Sequence, residues 1–148
     1  MRITECVRLR VKDVDFARGE IIIREGKGFK DRVTMLPASL ELPLRQHLAR
    51  VKALHESDLN AGFGEVDLPH APARKYSHVG REWCWHYVFP SSKLSLDPRT
   101  GIRRRWHAHE ITIQLAMRQA LREASILKPA TPHTLRHSFV THLAASRL

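Results

Sequence analysis

In the segment TPHTLRHSF, residues 131 to 139, His133 and Arg136 stand three apart where a helix is expected to begin, so they share a face opposite Leu135 and Phe139. A helix start also presents free backbone N–H groups and the positive end of its dipole, and together these features make a seat for a phosphate-like anion. Standing alone, such a segment is more often an ordinary solvated helix start. Lys27 in GKGFKDR falls near the tip of an expected hairpin, where a glycine-flanked lysine is commonly turn chemistry, and the segment lacks the GK[ST] ending of a nucleotide-binding loop. Arg2, four positions before Cys6 on a short helix, reads by itself as a surface arginine.

These residues need elements to position them. Arg2 to Val11 has helical tendency, and residues 13 to 15 carry the chain into two β-rich runs between Gly19 and Pro37, split by the Gly-Lys-Gly turn. Ser39 is expected to cap a helix through about His55, with Leu44, Leu48, Val51 and Leu54 on its core face and Pro43 tolerable only near the first turn. From Asp58 to about Gly101 the periodicity fades, although the stretch holds the aromatic cluster REWCWHYVFP; so long a weakly patterned segment is usually functional or inserted. A helix from Glu110 to about Leu127 presents Ile113, Met117, Ala120, Leu121 and Ala124 on one face. Thr131 is expected to cap the last helix, with Pro132 at its first position and Leu135, Phe139 and Leu143 on its buried side. The fold class is therefore α+β, mostly helical, with a small antiparallel sheet near the N-terminus.

At 148 residues and 43% hydrophobic content, one core and one domain are expected. Twenty-five Lys and Arg against fifteen Asp and Glu give a net charge of +10, which permits an anionic polymer as partner without specifying one. No apolar run approaches the roughly 20 residues that cross a bilayer, so no membrane association and a cytoplasmic location are expected. Cys6 and Cys84 match no ligand spacing and suggest a reducing compartment, and His107 and His109 lack further ligands, so no metal is expected.

Taken together, the three segments resemble the tyrosine recombinase, or phage integrase, family. Its first box, G-[LM]-R-x-x-E with a following Asp-containing turn, is matched by MRITECVRLRVKDVDF; its hairpin lysine motif by GKGFKDR; and its second box, H-x-x-R, by HTLRHSFVTHL. The resemblance implies that Arg2 and Arg136 clamp a scissile phosphate, that Lys27 is the general acid for the leaving 5′ oxygen, and that His133 handles a proton or binds phosphate. It implies no cofactor, DNA as substrate and a homotetramer on two DNA sites. The family completes its site with a further His or Trp and a nucleophilic tyrosine beyond the second box. Tyr76 and Tyr87 precede that box and cannot take the nucleophile's place. The chain is thus expected to be a partial catalytic domain spanning 1–148, truncated at both ends and inactive by itself. Two alternatives stay open, a non-catalytic DNA-binding remnant and an unstable pseudogene product.

The stretch at about 58–101 resembles the extra segment of integron integrases, which holds extrahelical bases of folded single-stranded recombination sites. A base stacked on an aromatic platform gains roughly 1–3 kcal/mol. On that resemblance Trp85, Pro98 and His107 are candidates for a base pocket, with Arg103, Arg104 and Arg105 on the backbone phosphates. Alternate residues of a strand face opposite sides, so at least one of Trp83 and Trp85 is expected in the core, with Trp85 outward.

Overall fold

The computed structural model describes residues 1–24, 31–68 and 78–145. Helix α1, Ile3–Val7, is shorter than the expected Arg2 to Val11. The helix yields because residues 9 to 11 have a better use for their backbone. The Val88 N–H donates to the Leu9 carbonyl at 2.8 Å and the Val11 N–H to the His86 carbonyl at 2.9 Å, so the chain turns extended at Arg10 and pairs with the aromatic segment 75 residues away.

Strands β1, Val14–Asp15, β2, Glu20–Ile23, and β3, Arg32–Met35, form an antiparallel sheet in that order, in register Val14↔Ile21 and Ile21↔Thr34. Between β1 and β2 the Asp15 carboxylate accepts the N–H groups of Ala17 and Arg18, and Gly19 supplies the positive φ of 63° that closes the turn. Because side chains alternate along a strand, Ile21 and Ile23 point together into the core. There they meet Leu9, Leu36 and Val88, with Phe16, Leu44, Leu48 and Phe89 packed around them. The expected hairpin is present as β2 and β3; its Gly-Lys-Gly turn and Lys27 lie outside the described residues.

Helix α2, Ala38–Asn60, begins after Pro37 without a side-chain cap and runs past His55, so Ser39 is within it and Asp58 belongs to its last turn, not to the following segment. Pro43 removes only the hydrogen bond to the exposed Ser39 carbonyl, and the helix tolerates it. The longer helix is held at its end by buried contacts of His55 and Asp58. After Gly64 the chain forms short 3-10 turns at Val79–Arg81 and Trp83–Trp85, then a two-stranded ribbon of β4, Ser95–Leu96, and β5, Arg103–Arg104. The aromatic cluster is therefore partly core: Tyr87 and Val88 are buried, and Trp83 stacks near the buried imidazoles of His55 and His86. Burial pushes His86 down to about 4, helped by the neighbouring His55 ring.

Helix α3, Glu110–Glu123, ends four residues before the expected Leu127, where Ser125 adopts a positive φ of 54°. Of its expected face Ile113, Met117 and Leu121 are half-buried, whereas Ala120 and Ala124 are exposed. Helix α4, Pro132–Ala145, starts at Pro132 as expected. Thr131 contributes through its backbone, its carbonyl accepting from Thr134 and Leu135, while its own N–H donates to the Thr134 hydroxyl. Leu135 and Phe139, expected to be buried, are 57% and 47% exposed: among the described residues α4 packs mainly on α3, and that side of it is uncovered. No described helix is long and apolar enough to cross a membrane.

Candidate phosphate-binding site

Arg2 directly precedes α1, and His133 and Arg136 lie in the first turns of α4, yet the fold brings them together. A cleft of about 170 Å³ is lined by Met1, Arg2, Ile3 and Thr4 on one side and by Pro132, His133 and Arg136 on the other. Two arginines and a histidine thus meet beside the start of a helix, whose dipole adds to their positive potential. Planar guanidinium forks can grip two oxygens of a phosphate each, and the charge they place there grows in value as a phosphodiester approaches its transition state.

The Glu5 carboxylate, only 8% exposed, organises the α1 side of the cleft. It accepts the Arg2 backbone N–H, pairs with the Arg2 guanidinium at 3.2 Å, and pairs with Arg32 of β3 at 2.6 Å. Arg24, at the other foot of the hairpin, holds Asp13 at 2.7 Å and Asp31 at 3.2 Å. Both feet of the loop that carries Lys27 are consequently tied down, one of them to the cleft itself.

The residues assigned to a base pocket and its phosphates are arranged otherwise than expected. Arg104 and Arg105 turn inward and are 7% and 8% exposed. Arg105 forms a two-point pair with Asp58 at 2.5 and 2.8 Å and donates to the Ser91 carbonyl. Arg104 donates to the Val66 carbonyl and stands 3.3 Å from Glu65 and 3.8 Å from the buried Asp97. Arg105 is spent on the buried Asp58 and Arg104 on the Val66 carbonyl and the nearby charges of Glu65 and Asp97, so of the arginine run only Arg103 faces solvent. Trp85 is half-buried, and its ring face is occupied: the Lys12 ammonium lies 3.1 Å from the ring centroid and the Arg10 guanidinium 5.8 Å. His107 is half-buried against the edge of Tyr87, at a centroid distance of 5.3 Å. Pro98 is exposed at the turn between β4 and β5. Arg10 links the first group, donating to the Trp85 and Asp67 carbonyls and lying 4.6 Å from the Tyr87 ring. Among the described residues the Arg99 to Asp67 pair reaches from there toward Pro98.

The sequence profile of the phage integrase family matches residues 1–148. The chain belongs to the phage integrase family, the tyrosine recombinases. An integrase/recombinase from Escherichia coli and another from Pseudomonas aeruginosa are each 51% identical to it over 146 residues, which is 99% of this chain and 43% of theirs. A tyrosine recombinase XerC from Oceanobacillus iheyensis is 28% identical, over 97% of this chain and 36% of that protein. The crystal structure of a XerA recombinase shares the fold with a TM-score of 0.57 and 26% identity, over 97% of this chain and 38% of that one. The chain spans less than half the length of these relatives.

Sequence reasoning missed Glu5, Arg10 and Lys12 as parts of these arrangements, and His137, whose ring nitrogen meets that of His133. Glu5 was visible as the last residue of the first box, and His137 as the second histidine of HTLRH, four after His133. Nothing in RLRVKD announces that Arg10 and Lys12 cover an aromatic ring far along the chain. Glu5 also carries a testable consequence. Burial works against its charge, but the Arg32 and Arg2 hydrogen bonds outweigh it and hold its carboxyl at about 2, below the ordinary 4.5. A depressed carboxylate pKa stabilises the fold above the unfolded value and ceases to do so as pH falls through the folded one. Glu5→Gln is expected to cost on the order of 1–3 kcal/mol at pH 7, after allowance for screening of the half-exposed arginines. In urea unfolding the gap between the two proteins should be full above pH 4.5 and narrow steadily toward pH 2. A gap that does not change with pH would assign the loss to packing instead.

Proposed function

We propose that this chain is the phosphate-gripping part of the catalytic domain of a site-specific DNA recombinase. The convergence of Arg2, His133 and Arg136 on one cleft, from positions at opposite ends of the sequence, carries that reading. Arg2 and Arg136 hold the non-bridging oxygens of the scissile phosphate and neutralise the charge that builds on them. His133 binds the same group or moves a proton beside it. Lys27, on the hairpin whose feet are anchored through Glu5 and Asp13, protonates the leaving 5′ oxygen. The nucleophile is a tyrosine supplied by further chain in a protein of the relatives' length, giving a phosphotyrosyl intermediate without a metal or cofactor. Such a protein acts on DNA as a homotetramer, with residues 1–148 as the partial catalytic domain.

The subfamily we infer is the integron integrase, which moves gene cassettes and takes folded single-stranded sites as well as duplex DNA. Its support is the aromatic and cationic surface of Trp85, Lys12, Arg10 and His107, in the segment at about 58–101 and the residues packed on it. Pro98 and Arg103, exposed on the turn and strand of the β4–β5 ribbon, are the further residues assigned to that binding.

To test the reading, this chain replaces the matching segment of the Escherichia coli integrase/recombinase, and the chimera is mixed with a labelled recombination site carrying a nick. The expected product is a DNA–protein adduct, stable to denaturant and lost on protease treatment, that forms equally well in excess chelator. Binding without any adduct, from a chimera that is folded, would favour the non-catalytic DNA-binding alternative.

A further inference from the structure

His133 and His137 stand one turn apart on α4, both exposed, with their Nε2 atoms 2.8 Å from each other. Their rings meet edge to face, with centroids 4.5 Å apart and planes at 77°. At that separation only one of the two nitrogens carries a hydrogen, and the other turns its lone pair toward it. A cation that replaced the shared hydrogen would meet two imidazole nitrogens at once.

The geometry suits a metal ion. With metal–nitrogen bonds of about 2.0–2.1 Å, two nitrogens at a right angle on one ion are about 2.9 Å apart and two at a tetrahedral angle about 3.3 Å. Side-chain rotation on an exposed surface covers the difference. Four-residue spacing on a helix is also the spacing that lets two histidines share one ion.

We propose that His133 and His137 form a two-point chelate for a divalent late transition metal of the nickel, copper or zinc type, bound through both Nε2 atoms with water in the remaining positions. Among the described residues no third His, Cys, Asp or Glu joins them, so the ion is exchangeable and not structural. Arg136 and the positive end of the helix oppose any cation, which excludes hard ions such as magnesium that gain nothing from imidazole. His133 also lines the Arg2 and Arg136 cleft, so a bound metal withdraws it from phosphate. That last consequence rests on the recombinase reading, whereas the metal site does not.

The test is calorimetric titration of the 148-residue chain with nickel chloride, in excess magnesium and without DNA, so that its outcome is independent of any recombinase activity. A nickel event near one equivalent is expected, weakened at least tenfold in His133→Ala and in His137→Gln, and unchanged in His78→Ala, which removes an exposed histidine elsewhere. With copper, the electron paramagnetic resonance signal should show two coupled imidazole nitrogens, falling to one in either variant. No nickel event in the wild-type chain, or equal affinity in wild type and either variant, overturns the proposal. So does a loss of equal size in His78→Ala.

Discussion

Arg136→Ala, made in a chimera of full length that carries this segment, is expected to slow strand cleavage by roughly a thousand-fold or more, and Arg2→Ala to do the same. The size follows from where the charge goes. In the ground state a phosphodiester carries one negative charge that water solvates well, while in the transition state the charge spreads over oxygens held in a cleft of about 170 Å³. A guanidinium aimed at those oxygens is worth most at that moment, so its removal falls on the rate and not on binding. Affinity for DNA should change little, because a chain of net charge +10 has many other cations on the polyanion; the salt dependence of binding should lose about one phosphate contact. Arg136→Lys is not a mild change, since an ammonium cannot make the paired hydrogen bonds. Adduct formation followed over time, beside fluorescence anisotropy at several salt concentrations, separates the two effects. Near-normal cleavage in either alanine variant sinks the clamp assignment.

The residues that meet at the cleft were legible in the sequence because they sit in short motifs whose helical context can also be read: His133 and Arg136 need only a helix start, and Pro132 marks it. The sheet was legible for the same kind of reason, since the alternation in Glu20–Ile23 and the glycines of GKGFKDR are local signals. What could not be read was the fate of residues whose partners are remote. Arg103 to Arg105 looks like a solvated cationic run, and only the fold shows that the last turn of α2 brings Asp58 to Arg105 across 47 residues, while Asp97 and Glu65 flank Arg104. Helix α2 is read from the sequence as ending at about His55 because its apolar spacing stops at Leu54, and the loss of that spacing marks a helix end only when the polar groups that follow face water. His55 and Asp58 do not. Leu135 and Phe139 are the converse case. An apolar helical stripe says that a face can be buried, not that something within reach buries it.

That internal pair gives the second large effect, on stability. Asp58 and Arg105 form two hydrogen bonds at 2.5 and 2.8 Å with both side chains under 10% exposed, and the remaining guanidinium nitrogen is spent on the Ser91 carbonyl at 2.8 Å. The pair gains its Coulomb energy only after both charges have lost their water, so its net contribution over two apolar residues is small. Breaking it is another matter: Asp58→Ala leaves a guanidinium that can neither lose its proton nor reach solvent, and the expected cost is about 3–5 kcal/mol. That is a large part of the total stability of a domain this size. The double variant Asp58→Ala with Arg105→Met removes the stranded charge and fills its space with a side chain of similar reach, so it should recover much of the loss despite carrying one more substitution. Urea unfolding of the wild type, both single variants and the double variant closes the cycle. If the double variant is less stable than Asp58→Ala alone, Arg105 contributes through its packing and its Ser91 hydrogen bond more than through the charge. If Asp58→Ala costs less than about 1 kcal/mol, the pair behaves as a surface salt bridge does and the guanidinium has found water.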